Sequence, residues 1–169
     1  MLGFGYESIH FLDQEQEGIH RVILSDDTLN FKSAPGPRFP SYVDVHEDAI
    51  TNRGSVMVTA YDVTRADLRS IGRPQVGWVR DSQFYEIDIA SNEVIFSWSA
   101  LDHLNLPHSA VPLAEAGHNQ SNFWDFAHLS SVMRDGEGYV LSAHGYCSVY
   151  AVDSKGNIKW TLVGERAVI

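Results

Sequence analysis

The sequence predicts an all-β protein built from β-propeller blades, that is, four-stranded antiparallel repeats. Three observations predict it. Apolar and polar residues alternate in short runs, not at helical spacing. Polar clusters containing Gly, Asn or Asp separate the runs. And one unit occurs twice: residues 46–51 (HEDAIT) lie over 128–133 (HLSSVM), 56–60 (VMVTA) over 139–143 (YVLSA), 83–88 over 147–153, and 91–98 (SNEVIFSW) over 155–162 (KGNIKWTL). Four short strands per repeat, joined by turns, are the signature of a propeller blade.

Taken in order, residues 1–24 read as a half blade. Strands at 6–12 and 19–24 flank a turn at 13–18. Gly3 and Gly5 suggest a tight turn; no helix pattern follows them, so they do not make a phosphate loop. Residues 25–41, rich in Pro, Gly, Asp and Ser, connect to the next unit. Residues 42–99 form a whole blade, with residues 62–82 inserted between its second and third strands as a surface loop. Thr64-Arg65-Ala66-Asp67 and Ser99-Ala100-Leu101-Asp102 have capping-box-like spacing and predict two short helical turns. In Asp102-His103, adjacent residues on a helical turn point different ways, which favours a cap plus a surface histidine over a catalytic dyad. Residues 104–122 form a long polar loop, of the kind used as a lid or binding loop. Asn119-Gln120-Ser121 is a glycosylation triplet, meaningful only in a secreted protein. A second whole blade covers residues 126–163. Trp98 and Trp160 are expected to close their blades and to be largely buried. Residues 1–169 are thus read as one partial propeller domain.

Composition bounds the function. A chain of 169 residues has room for one domain, and 44% hydrophobic with 20% charged residues is ordinary globular composition. A net charge of −10, with no basic run, disfavours phosphate-backbone binding, so no nucleic acid partner is expected. No stretch of 18 apolar residues exists, so no membrane segment is expected. The first residues lack the charged and apolar regions of a signal peptide. Cys147, the single cysteine, has no internal disulfide partner and reads as a small buried hydrophobe on a strand.

Blade geometry gives the histidines meaning. The first strand of each blade lines the central channel. His46 and His128 open the first strands of successive units, so they are expected at one channel mouth, pointing into one cavity. The alternative is two surface or core histidines that coincide in the alignment.

Together the motifs resemble the arylsulfotransferases, in their fungal branch. The likeness is carried by Asp44-Val45-His46-Glu47, residues 54–61 (GSVMVTAY), Trp78, Asp81-Ser82-Gln83-Phe84, Glu86-Ile87-Asp88-Ile89, residues 98–103 (WSALDH) and Asp125-Phe126-Ala127-His128. The resemblance implies a six-bladed propeller. It also implies sulfate transfer from a phenolic sulfate ester to a phenol through a transient sulfohistidine, with no nucleotide sulfate donor and no cofactor. Such transfer needs a nucleophile, stabilisation of sulfate charge and a proton carrier, and imidazole can serve each role. His46 and His128 match site histidines of the family. Two residues depart from it: Ser130 stands where the family has Asn, and His144 where it has Arg. A guanidinium is a permanent bidentate charge; a neutral imidazole is not, so sulfate binding is expected to be weaker or to require protonated His144. The candidate catalytic residues are His46, His128 and His144; the candidate substrate-binding residues are Glu47, Ser130 and Trp124; no metal site is expected.

Relative to the family, blades before residue 1 and after Ile169 are absent, and the resemblance places the sulfate-accepting histidine in the downstream part. The expected partners are a small phenolic or sulfate-ester ligand, and either a second copy or another chain supplying the missing blades. The resemblance suggests a secreted or extracytoplasmic parent. Two further readings stay open: a non-catalytic propeller fragment binding a small ligand or protein, and a zinc site made by His46, His128 and His144, for which no His-Glu-x-x-His motif is present.

Overall fold

The computed structural model describes residues 42–73, 76–88, 90–91 and 93–164, with the side chains of 42–48 excluded. The expected half blade at 1–24 and the connection at 25–41 lie outside the described residues.

The described chain forms two four-stranded antiparallel sheets. The first contains β1 (Tyr42–Ile50), β2 (Ser55–Asp67), β3 (Val76–Asp88) and β4 (Val94–Ser99), each hydrogen-bonded to the next. The second repeats that order with β5 (Leu129–Asp135), β6 (Gly138–Ala143), β7 (Ser148–Val152) and β8 (Ile158–Val163). The all-β class and the twice-repeated unit expected from the sequence are both present. Among the described residues, the one α-helix is a single turn, α1 (Ala100–His103), and no helix is long and apolar enough to cross a membrane.

The insertion at 62–82 is not a loop. β2 and β3 pair without interruption from Ser55↔Asp88 to Asp67↔Val76, so the expected helical turn at Thr64–Asp67 is strand. Val63, Thr64, Trp78 and Val79 are the residue types that favour an extended backbone, and thirteen consecutive cross-strand pairs outweigh a cap-like tetrad. A 3₁₀ turn, Arg69–Ile71, closes the hairpin's far end. The hairpin is laced to the loop before β5. Trp78 N–H donates to Gly117 O (2.9 Å), Trp124 N–H to Trp78 O (2.9 Å) and Arg80 N–H to Trp124 O (2.9 Å).

The second expected helical turn forms. Ser99 Oγ caps α1 by accepting from Asp102 N–H (3.3 Å). Asp81, 4% exposed, accepts from Leu101 N–H (2.9 Å), Ser99 Oγ (2.7 Å) and Gln83 Nε2 (2.6 Å). Burial nevertheless holds its pKa above the ordinary carboxylate value. His103 is exposed, lies against Trp98 at 4.7 Å and approaches Ser99 O through Nδ1, as a cap with a surface histidine would.

The sheets meet face to face. Thr59, Phe84 and Trp98 lie directly across from one another, as do Met57, Glu86 and Phe96, so all six share a face of the first sheet. Tyr139 of β6 packs there, 5.1 Å from Phe84 and 4.4 Å from Phe96, and Trp98 Nε1–H donates to Gly156 O in the β7–β8 turn (3.2 Å). The same join carries a buried charge. Glu86, 2% exposed, accepts from Ser55 Oγ (2.5 Å), Tyr139 OH (2.5 Å) and Arg134 Nη1 (3.0 Å). Arg53 and Glu137 pair across the two hairpin turns beneath it.

The equivalent face of the second sheet is uncovered among the described residues. Pairing aligns Ser142, Val149 and Leu162, and Val140, Ala151 and Trp160. Leu162 therefore occupies the place of Trp98, and Trp160 that of Phe96. Trp98 is 2% exposed, whereas Trp160 is 49% and Leu162 65% exposed, so the expected burial of both tryptophans holds for Trp98 only. The difference is the second sheet itself, which covers Trp98.

Candidate functional site

The residues that bear the chemistry gather where the loop before β5 meets the turn after β6. Trp124 is 3% exposed, packs on Phe126 (5.8 Å) and donates its indole N–H to Val111 O (3.2 Å), so it anchors the loop within the core. Ser109 Oγ donates to Phe126 O (2.7 Å). His128 then adopts φ +48°, the left-handed region, which costs a non-glycine residue about 1–2 kcal/mol. Such strain persists where surrounding bonds over-determine the backbone. Here His144 N–H donates to His128 O (3.0 Å) and Gly145 N–H to Ala127 O (2.8 Å). Gly145 is required by that approach: a Cβ there would sit 2.2 Å from Phe126 O.

This pinning sets two imidazoles against each other. The rings of His128 and His144 lie edge-on, 5.8 Å apart, His128 part-buried and His144 exposed. His128 Nδ1 is 2.7 Å from Asp125 Oδ2, and the same oxygen accepts from Arg80 Nη1 at 3.1 Å. The Arg80 guanidinium lies 3.9 Å from the Tyr61 ring centroid. A chain of groups thus runs from β2 and β3 of the first sheet, through Asp125, to the two histidines of the second. Nearby, burial raises the Tyr146 pKa above its ordinary value, so its hydroxyl stays protonated and donates to Asn105 O (3.0 Å).

Beside His144 is an open groove of about 410 Å³ on the uncovered face, lined by Ser130, Ser142, His144, Cys147 and Leu162 among others; His128 stands behind His144 and does not line it. His144 and Ser130, two of the expected site residues, therefore share one groove. Ser130 sits at the register shift of β5, between Leu129↔Ala143 and Ser131↔Ser142. Cys147 is not on a strand as expected. It closes the 3₁₀ turn with φ +49°, half-buried, and β7 begins one residue later.

The side chains of His46 and Glu47 lie outside the described residues. Their backbone belongs to β1, which runs beside β5, within a register shift between Val43↔Ala60 and Asp48↔Val58. With Val58 over Leu141, Asp48 falls over Val132, and with Ala60 over Ala143, Val43 falls over Leu129. His46 lies between these two anchors, within the irregular part of β1. Among the described residues, no group of three His, Cys, Asp or Glu is placed to hold a metal ion.

Sequence reasoning left Arg80, Tyr61 and Asp125 without roles. Asp125 was within reach, because it stands three residues before His128 in a quoted motif. Arg80 was hidden by reading the insertion as a loop.

A family model described as Arylsulfotransferase (ASST) matches residues 1–168. No curated protein matches the chain.

Proposed function

From membership of the arylsulfotransferase family, to which this chain belongs, we propose that its two sheets are successive propeller blades and that they carry part of a sulfate-transfer site. The single observation that most supports this is the His128–His144 pair, held by backbone bonds at the edge of a groove and backed by Asp125 and Arg80. Two joined sheets with the same strand order, and an uncovered face at the matching place on the second, support the blade reading.

The substrate is a phenolic sulfate ester and the acceptor a phenol. His46, His128 and His144 act on the sulfuryl group and on the bridging oxygen. Glu47, Ser130 and the loop anchored by Trp124 shape the substrate's surroundings. In the first half-reaction a histidine nitrogen bonds to sulfur as the S–O(aryl) bond breaks, and the departing phenolate takes a proton from an imidazolium. In the second, the acceptor phenol gives its proton to an imidazole, its oxygen bonds to sulfur, and the N–S bond breaks. The sulfur-accepting histidine belongs to a further blade, seated on the face that carries Trp160 and Leu162. No nucleotide donor takes part.

The test is turnover of a chromogenic aryl sulfate with a phenol acceptor, with mass in solution determined in parallel. The proposal expects turnover that His128→Ala lowers by about 10²-fold or more, the range for a lost acid–base group. Folded protein without turnover, alone or in complex with its further blades, would favour a non-catalytic propeller unit that binds a small ligand or protein.

A further inference from the structure

We propose that Asp125 is the positioning residue of His128: it fixes the imidazole as the Nδ1–H tautomer and so directs Nε2 as the nitrogen that exchanges protons with substrate. The inference rests on the reading of His128 as a site residue and adds what sets its protonation pattern.

A carboxylate is an acceptor, so the 2.7 Å contact between Asp125 Oδ2 and His128 Nδ1 places the proton on Nδ1. The hydrogen bond made at one ring nitrogen decides the role of the other. Neutral imidazole in water favours the opposite tautomer, so the arrangement has to be imposed. Three features impose it. Asp125 and His128 stand three residues apart in a loop whose backbone is bonded at Trp124, Phe126, Ala127 and His128. The left-handed backbone at His128 turns its side chain back toward Asp125. Arg80 donates to the same carboxylate oxygen, stacks on Tyr61, and is 15% exposed, so the acid is held in place. The extended hairpin of the first sheet has a use here, because it carries Arg80 across to a loop of the second.

No proton leaves Asp125 in this scheme. It orients the ring and stabilises the imidazolium that forms when Nε2 accepts a proton.

The experiment is nitrogen-15 NMR of the histidine-labelled full chain at a pH where the imidazoles are neutral. The expected result is a His128 signal pair of the Nδ1–H form, with exposed His144 as the reference and His103, whose Nδ1 faces Ser99 O, as a second Nδ1–H pair. Asp125→Ala should return His128 to the Nε2–H form, and Asp125→Asn, whose amide oxygen can still accept, should retain much of the Nδ1–H form. A parent His128 in the Nε2–H form overturns the proposal without any variant, as does an unchanged tautomer in a folded Asp125→Ala protein. Where the parent turns over aryl sulfate, Asp125→Ala should lower kcat by about 10²-fold with KM changed only a few-fold, and Asp125→Asn should recover part of the loss. A parent without turnover both alone and in complex with its further blades refutes the sulfotransferase reading, and the tautomer still decides the role of Asp125.

Discussion

Replacing Glu86 by alanine should be among the most damaging single changes to the join between the sheets. The carboxylate is 2% exposed and receives three donors, from Ser55, Tyr139 and Arg134. Removing it takes the acceptor from all three at once, two of them on the second sheet, while Ser55 Oγ keeps its bond to Thr51 Oγ1 (2.6 Å). Breaking a buried ion pair by deleting one partner costs about 3–5 kcal/mol. For a domain of this size each kcal/mol shifts Tm by roughly 2–4 °C, so a fall of about 6–20 °C is expected. Glu86→Gln preserves shape and one acceptor but loses the charge, and should cost about 1.5–3 kcal/mol, the worth of a hydrogen bond to a charged group. Arg134→Met removes the cation, whose side chain is 21% exposed. The double variant Glu86→Ala with Arg134→Met should be less destabilised than the sum of the singles by about 0.5–3 kcal/mol. Urea and thermal unfolding followed by circular dichroism give these values. Glu86→Ala within about 1 kcal/mol of the parent, or strict additivity in the double variant, would refute the claim that this carboxylate holds the sheets together through Arg134.

Two more changes probe the site and its supports. Gly145→Ala puts a methyl carbon 2.2 Å from Phe126 O and 2.9 Å from Ala127 O. The loop must yield, at about 1–3 kcal/mol for overpacking, and the His128 imidazole signals should shift with it; an unshifted spectrum and unchanged stability would count against the pinning. Asp81 gives a pH test. Its folded pKa lies above the ordinary carboxylate value because burial disfavours the charge, so the stability it contributes is complete below its unfolded pKa and is lost as pH rises through the folded one. Asp81→Asn titrates nothing there, so the difference between variant and parent should move in the variant's favour as pH rises from below the ordinary aspartate pKa of about 3.9. Movement the other way would refute the assignment.

Alternation and turn chemistry made the eight strands legible, because each apolar face is filled at a period of two and each turn is short. The β2–β3 extension was not legible. Its outer pairs are held by partners distant in sequence, Gly117 and Trp124, and a local reading of Thr64 to Asp67 has no access to them. His128 and His144 were both named as candidate site residues, but their ring contact, their shared backbone bond and the left-handed turn at His128 leave no trace in residue types. The alignment of residues 46–51 over 128–133 slips by two at its inner end, where Asp48 falls over Val132, for a related reason. Register shifts add residues to β1 and β5 unequally, and an ungapped alignment absorbs them unseen.

The buried carboxylate also bears on which unit can follow which. In strand register Glu86 of the first sheet corresponds to Ala151 of the second. The first join is therefore keyed by charge, and the next position along the stack is keyed by shape alone. A second copy of the second sheet, laid on that face as it is laid on the first, would bring Arg134 over Ala151 and bury a cation without an acceptor, at a cost of several kcal/mol. Identical units are thereby discouraged from stacking indefinitely. One glutamate at the described join is enough to tell the equivalent faces of the two sheets apart.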